Sequence, residues 1–150
     1  MNLVQALYLN NNVEPFNNEQ VRQALCYAID VDEIMELTAE GHGTKVGTSI
    51  YPAFTKYYDE SLNDAYPYDT EKAKELLAEA NWDPNTVIKA VYYYTDQATV
   101  DLMTAVQAYL ADVGIKMEFE LVEGDLATIL WAAPADQTNG PRAVDWDICY

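Results

Sequence analysis

The stretch that decides the fold is "TVIKAVYYYTDQATVDLMTAVQAYLADVGIKMEFELV", residues 86–122. Its opening is rich in β-branched and aromatic residues and predicts a strand over 86–94. A helix follows and ends at Gly114 as a C-terminal cap. The apolar stripe of this helix comprises Leu102, Met103, Val106, Leu110 and Val113. From Ile115 onward apolar and charged residues alternate, which predicts a half-buried strand. The whole stretch therefore predicts a βαβ unit with parallel strands and a right-handed crossover.

A helix pair is predicted upstream of this unit. The segment "PFNNEQVRQALCYAID", residues 15–30, begins with a capping box, in which Asn17 caps the helix and Gln20 bonds back to the cap. The apolar stripe of this helix is Val21, Ala24, Leu25, Ala28 and Ile29, of which Val21, Ala24, Leu25 and Ile29 are expected to be buried. The polar positions expected to stay in water are Arg22, Gln23 and Asp32. Asp30 with Glu33 starts a second helix in the same way.

The remaining segments complete an alternating pattern. Residues 3–9 read as a short strand covered on both faces, and 41–69 as a long surface excursion rich in Gly, Pro, Tyr and Asp. A capped helix begins at Asp69, and "WDICY" at the end of the sequence looks like a strand just starting. We therefore expect an α/β fold whose mixed sheet carries the helix pair and a helix over 99–113. The sheet is expected to include residues 3–9, 87–94 and 115–122.

The composition indicates a globular, strongly acidic chain. Of its 150 residues 50% are hydrophobic, and 25 acidic against 8 basic side chains give a net charge of −17. A field of this sign repels phosphate backbones and anionic membrane surfaces, so no nucleic acid is expected as a partner. No apolar run approaches the roughly 20 residues of a membrane span, and no signal peptide opens the sequence. The charge itself is interpreted as a solvated surface.

Few residues carry reactive chemistry. Cys26 and Cys149 lie far apart, with no cysteine or histidine at metal-ligand spacing, and are interpreted as buried free thiols. His42 stands in "GHG" without a partner at a recognisable offset, so it is interpreted as a loop residue. No nucleophile motif and no phosphate-binding loop occurs. The sequence therefore predicts no enzyme, no metal site and no cofactor.

The tyrosines, 12 in number, are a more suggestive feature. They cluster in the long loop and on the predicted strand, at Tyr51, Tyr57, Tyr58, Tyr66, Tyr68, Tyr92, Tyr93 and Tyr94. Tyrosine combines a broad contact area with a polar tip, which suits a binding surface. The alternative is that the loop packs on the core and that the strand residues reflect β propensity. Both interpretations stay open.

Three motifs, in order, give a family resemblance. They are "NNNVEPFNNEQVRQALCYAID", "GHGTKVGTSIYP" and "YPYDTEKAKELLAEANW". The first resembles the motif that opens the second lobe of the family 5 extracellular solute-binding proteins, which are the peptide, nickel and oligosaccharide receptors of bacterial ABC importers. The second resembles that family's glycine-rich stretch ending in proline, and the third resembles its Y-D-x-x-K-A-x-x-L-L-x-x-A-G segment. "VGIKMEFELVE" and a terminal "WD" follow in the family's order.

This resemblance implies a fold and a set of site residues. The fold is one lobe of a type II periplasmic binding protein, with residues 1–150 as a partial second lobe excised from a longer two-lobed receptor. The implied ligand-binding residues are Thr95, Asp96 and Thr99 after the "VYYY" strand, and Glu123, Gly124 and Asp125 after "FELVE". Gly124 departs from relatives that carry a tryptophan there, and Asp96 argues against a bare anion at its helix N-terminus. The acidic anchor for a peptide amino group is expected beyond Tyr150.

The implied function is that of a substrate-binding component of a bacterial ABC importer. It would capture oligopeptides or dipeptides between two lobes for transmembrane transport. The implied partners are a small peptide or related solute and, through the full-length protein, ABC permease subunits. The implied location is extracytoplasmic, in the periplasm or as a cell-surface lipoprotein. The alternative is a protein-interaction module that uses the tyrosine-rich loop at 51–68, and an enzyme domain is a third hypothesis that lacks a reactive constellation.

Overall fold

The computed structural model describes residues 4–47, 56–132 and 144–150. Its helices and strands follow the predicted alternation. In chain order they are β1 (Tyr8–Leu9), α1 (Glu19–Ala28), α2 (Val31–Ala39), a single 3₁₀ turn (Glu60–Leu62), α3 (Thr70–Glu79), β2 (Val87–Tyr92), α4 (Gln97–Asp112), β3 (Lys116–Leu121), α5 (Leu126–Trp131) and β4 (Ile148–Cys149). The part of the chain that the structure describes is therefore an α/β fold, as the sequence predicts.

The sheet is mixed, and its strand order is β1-β4-β2-β3. β2 and β3 are parallel, with Val87 opposite Lys116 at one end and Tyr92 opposite Leu121 at the other. The predicted βαβ unit is thereby confirmed. β4 runs parallel to β2 and antiparallel to β1. The short terminal segment that the sequence showed as a strand just starting is thus an inner strand of the sheet.

The first strand is shorter than predicted. Only Tyr8 and Leu9 pair with a neighbour, although a strand was expected over 3–9. Residue 3 lies outside the described residues, and residues 4–7 have no strand pairing. The partner strand limits its length, because β4 has only 2 residues and can pair with only 2 residues of β1.

The cap of α1 lies one residue later than predicted. Asn18, not Asn17, accepts the bond from Gln20 N at 2.9 Å. Asn17 belongs to the preceding turn, since its own N–H donates to the Val13 carbonyl. The Gln20 side chain does not close a capping box but donates to Glu79 Oε2 on α3. The second start signal is confirmed, because the Asp30 carboxylate accepts from both Asp32 N and Glu33 N.

The main hydrophobic core lies between the helices and one face of the sheet. It is formed by Phe16, Val21, Ala24, Leu25, Ala28, Ile34, Ala73, Leu76, Leu77, Ile88, Ala90, Leu102, Met103, Val106, Leu110, Val113, Ile115, Met117, Ile148 and Tyr150. Within it α1 packs on α3 and α2 packs on α4, while α4 packs on β3. The helix pair therefore rests on the sheet largely through α4. A smaller cluster covers the other face at Val91, Leu130, Trp146 and Cys149.

Four expectations about single side chains need correction. Ile29 is half-buried instead of buried, because α1 ends at Ala28 and Ile29 leaves the helix in an extended conformation. Cys26 is exposed, because it lies one helical turn after Arg22 and off the apolar stripe. Arg22 is half-buried instead of exposed, since its guanidinium donates to the Phe16 carbonyl at 2.7 Å. Gln23 is half-buried as well. Cys149, in contrast, is buried as expected, and burial raises the pKa of its thiol to about 11.

The described part of the long loop packs on the helices. The rings of Tyr66 and Tyr27 meet edge to face at 5.4 Å. Tyr68 and Tyr109 do the same at 5.7 Å. The Lys45 ammonium lies between two carboxylates on α2 and in the loop, Asp32 at 3.0 Å and Asp64 at 3.2 Å. Packing thus accounts for two of the loop tyrosines, while Tyr51 lies outside the described residues. Within the described ranges no helix has both the length and the apolar character that crossing a bilayer requires.

Leu25→Ala tests the apolar stripe of α1. Leu25 is 3% exposed, so the truncation should lower the free energy of unfolding by about 2–5 kcal/mol, as in other buried leucines. The matched control is Leu37→Ala on α2, where the side chain is 65% exposed and the change should stay within about 0.5 kcal/mol. Urea denaturation followed by circular dichroism measures both values. Equal losses in the two variants would show that the stripe does not face the core.

Gly114→Ala tests the end of α4. Gly114 has φ +86°, and a Cβ added there meets no atom within 4 Å, so the substitution brings backbone strain and no clash. The expected loss is about 1–2 kcal/mol in free energy of unfolding. Gly114→Asn should lose less, because asparagine enters the left-handed region more readily than alanine. Thermal unfolding of the two variants checks the order, and an alanine variant as stable as the parent would refute the strain.

Candidate functional site

A cleft of about 360 Å³ opens at the edge of the sheet where β2 and β4 end. The two strands are parallel, so their carboxyl ends meet at the same edge. β1 runs antiparallel to β4, which brings the start of β1 to that edge as well. The N-terminus of α4 and the last turn of α2 complete the wall. In open α/β sheets this edge is where ligands bind, and the volume is in the range of small-molecule sites.

Four of the described lining residues are tyrosines: Tyr8, Tyr93, Tyr94 and Tyr150. The rings of Tyr93 and Tyr94 lie 4.5 Å apart, and Tyr94 meets Tyr150 edge to face at 6.1 Å. The Tyr93 hydroxyl donates to the Tyr94 hydroxyl at 3.4 Å, and this bond raises the pKa of Tyr93 to about 12. The wall thus offers aromatic area and hydroxyl groups that can donate and accept hydrogen bonds.

Asp96 supplies the cleft with a carboxylate. It caps α4, with Oδ1 accepting from Thr99 N at 3.0 Å and Oδ2 accepting from Thr99 Oγ1 at 3.0 Å. The backbone bond, followed by the hydroxyl bond, lowers the pKa of Asp96. The carboxylate is therefore charged at neutral pH. Thr99 is buried, so its contribution is to hold Asp96 in place.

The six residues implied by the family resemblance separate into two groups. Asp96 and Thr99 line the cleft, and Thr95 is an exposed residue directly before them. The other three, Glu123, Gly124 and Asp125, are exposed and lie outside the lining. They follow β3, which is separated from β4 by β2. The described structure therefore places all six at the same edge of the sheet but brings only Asp96 and Thr99 into the lining of the cleft.

Asp125 has a local role that parallels that of Asp96. It caps α5, and its carboxylate accepts from Thr128 N at 3.3 Å and from Thr128 Oγ1 at 2.8 Å. The hydroxyl bond, followed by the backbone bond, lowers the pKa of Asp125. Gly124 before it has φ +97°, a conformation suited to glycine. The chain thus uses the same Asp-x-x-Thr cap on both helices that follow a strand of the βαβ unit.

Sequence reasoning missed part of the wall. Tyr8 and Tyr150 were assigned no role, and neither were Thr38 and Ala39 in the last turn of α2. The available signal was that tyrosines stand at or just after strands that share one edge. That signal is readable only when the strand order is known, because β1 and β4 are far apart in sequence and were not expected to be neighbours. Tyr93 and Tyr94 had been singled out as candidates for a binding surface.

The arrangement suits reversible binding. Asp96 carries the one formally charged side chain among the described lining residues, which otherwise present tyrosine hydroxyls, threonine hydroxyls, the Gln5 amide and apolar side chains. In the described ranges no group of three or more His, Cys, Asp or Glu side chains is arranged to hold a metal ion. His42 is exposed in the loop that follows α2. The cleft can therefore offer aromatic contact, hydrogen bonds and one negative charge to a solute.

Comparison with known proteins gives the family context. Residues 2–148 match the family described as Bacterial extracellular solute-binding proteins, family 5 Middle. Among individual proteins, Heme-binding protein A of Haemophilus influenzae is 46% identical over 82 residues. That alignment covers 55% of this chain and 14% of the relative.

Solved structures share the fold. The ABC transporter substrate-binding protein CtaP from Listeria monocytogenes has a TM-score of 0.78 at 18% identity, over 95% of this chain and 28% of that one, which shows the fold alone. The ABC transporter-associated periplasmic binding protein DppA from Helicobacter pylori, in complex with peptide STSA, has a TM-score of 0.64 at 30% identity. It covers 78% of this chain and 22% of that one. The chain thus spans less than a third of each of these relatives. It belongs to the family 5 bacterial extracellular solute-binding proteins.

Proposed function

We propose that the chain is part of the second ligand-binding lobe of a two-lobed receptor, the substrate-binding component of a bacterial ABC importer. Its solute is an oligopeptide or dipeptide that the two lobes enclose before transport. The observation that carries this proposal is the cleft at the carboxyl ends of β2 and β4, in a chain that matches a solute-binding family over residues 2–148. Peptide as the solute class is supported by the likeness to the Helicobacter pylori protein that was solved with a peptide.

The partners and location follow from this role. The receptor delivers its solute to ABC permease subunits in the membrane, which it meets through the full-length protein. It works outside the cytoplasm, in the periplasm or as a cell-surface lipoprotein. Its task is capture and release, so it requires no chemical step. A net charge of −17 is compatible with a freely solvated receptor surface.

We assign the solute contact to Thr95 and Asp96 at the start of α4, with the buried Thr99 holding the Asp96 carboxylate in place. Thr95 is exposed, and the Asp96 carboxylate retains lone pairs beyond the two bonds it accepts from Thr99. The second group, Glu123, Gly124 and Asp125, is exposed at the same edge of the sheet. In the closed receptor the solute spans from the cleft to this group, with the other lobe covering both. Closure of two lobes around a ligand is a common mode of binding, in which the solute loses water on both sides.

One prediction concerns the need for the second lobe. The 150-residue chain should bind a peptide at least about a thousandfold more weakly than the two-lobed receptor. The 150-residue chain lacks the acidic anchor for the peptide amino group, which is expected beyond Tyr150, and a buried charged contact of this kind contributes about 2–5 kcal/mol. It also lacks half of the enclosure, and about 4 kcal/mol already corresponds to a thousandfold change in affinity. Calorimetric titration of both proteins with the same peptide library measures the ratio. Comparable affinities would refute the half-cleft assignment and show a self-sufficient binding module.

A second prediction locates the contact on the chain. In the two-lobed receptor Tyr94→Ala should weaken peptide binding about threefold to tenfold, because an aromatic wall of the cleft is removed. Tyr57→Ala is the matched control, since Tyr57 is 68% exposed in the long loop and does not line the cleft. Calorimetry with one tight-binding peptide compares the variants. A larger loss for the Tyr57 variant would place binding on the loop and contradict the proposed site.

A further inference from the structure

We infer that the tyrosine-lined cleft receives a positively charged group of the solute, an ammonium or a guanidinium, and disfavours a carboxylate at the same position. The inference rests on the proposed solute-binding function and narrows its substrate class. Three features of the cleft support a preference for a cation: the carboxylate that caps α4, the end of α2, and the aromatic wall.

The first feature is the state of the α4 N-terminus. A free helix N-terminus favours anions, because its unpaired N–H groups and the helix dipole are positive. Here Asp96 already accepts from Thr99 N and adds a full negative charge. An incoming carboxylate would meet that charge at short range, whereas a cation would be attracted by it. The cap therefore reverses the preference that the bare helix end would have.

The second feature is the end of α2. Thr38 and Ala39, which belong to its last turn, line the cleft. The last turn of a helix carries a partial negative charge on its carbonyl groups. No Lys or Arg occurs among the described lining residues, so nothing there offsets Asp96. Lys45, the basic residue that follows α2, is held by Asp32 and Asp64. The fixed charges and dipoles at the described wall thus favour a cation.

The third feature is the aromatic wall itself. The negative faces of tyrosine rings attract cations within about 6 Å of the ring centre. Tyr93 and Tyr94 precede Asp96 closely in the chain and line the same cleft. Tyr94 is 43% exposed, so its ring is accessible to a ligand. The negative field of Asp96 also reaches Tyr150, where it adds to burial in raising the pKa of the phenol. A cation in the cleft can therefore contact both a carboxylate and an aromatic face.

The experiment is a titration of the 150-residue chain with three blocked amino acids, followed by ¹H–¹⁵N NMR. The probes are the N-acetyl, N′-methylamide forms of lysine, glutamine and glutamate, which differ in charge and lack charged termini. The lysine probe should shift the amides of Tyr94, Thr99 and Tyr150 and bind at least about fivefold more tightly than the glutamate probe. The glutamine probe should fall between them.

Asp96→Asn separates charge from folding. Asparagine caps helices as well as aspartate does, so α4 should remain intact while the charge is removed. The preference for the lysine probe should then fall about threefold to tenfold. The control is Asp69→Asn, which removes one charge from the cap of α3, away from the lining, and should leave the preference unchanged. An equal loss in both variants would show general attraction to an acidic surface and would overturn the inference.

The aromatic contribution has its own pair of variants. Tyr94→Phe keeps the ring, and Tyr94→Leu removes it while keeping an apolar side chain. The leucine variant should bind the lysine probe about threefold more weakly than the phenylalanine variant, as loss of a cation–π contact implies. Equal binding by the two variants would show that the Tyr94 ring does not contribute and would overturn the cation–π part of the inference.

The remaining outcomes separate this inference from the proposed function. Equal affinities for the three probes, or tighter binding of glutamate, would overturn the charge preference and leave solute binding at the cleft in place. Absence of shifts at the cleft with every probe at high millimolar concentration would overturn the inference, since the cleft would then accept no such group. In that case the peptide titration of the two-lobed receptor still decides the proposed function independently.

Discussion

The fold and the site both depend on the insertion of β4 between β1 and β2. Two backbone hydrogen bonds join β4 to β2. Asp147 N donates to the Lys89 carbonyl and Tyr150 N donates to the Val91 carbonyl, each at 2.9 Å. On the other side Asn10 N donates to the Asp147 carbonyl at 2.8 Å, and the Asn10 amide donates to the Trp146 carbonyl across 136 positions of sequence. Without β4, β1 would have no described neighbour in the sheet and would not be connected to the strands of the βαβ unit.

The same insertion explains why a cleft exists at this edge. A parallel pair directs both carboxyl ends to one side, and the residues that follow the strands must turn away there. The chain places tyrosines at these turns, and α4 starts directly after one of them. The helix N-terminus would be an anion site by its dipole alone, but its own cap occupies it. A structural need of the helix, to satisfy its first N–H groups, therefore also sets the electrostatic character of the cleft.

Family membership and solute identity are separate matters for this chain. The relative from Haemophilus influenzae is named for heme, whereas the Helicobacter pylori structure holds a peptide. A shared scaffold with different solutes is expected when specificity lies in a few side chains on loops and strand ends. We propose that in this chain those positions are Tyr93, Tyr94 and Asp96 after β2 and Tyr150 after β4, while the core residues of α1, α3 and α4 maintain the fold. The character of the solute is thus to be read from the cleft and not from the core.

The sequence by itself determined the helices, their order and the βαβ unit, because caps and apolar stripes act over a few residues. Asp30 and Asp69 each cap the helix that they were expected to start. Local signals were less exact at Asn17, where a preceding turn delayed the helix by one residue, and at Cys26, which proved to lie off the stripe. Only the tertiary structure decided the position of β4 and the meeting of Tyr8, Tyr94 and Tyr150 at one cleft. The physical reason is that strand order depends on pairing between segments far apart in the chain, which no local pattern encodes.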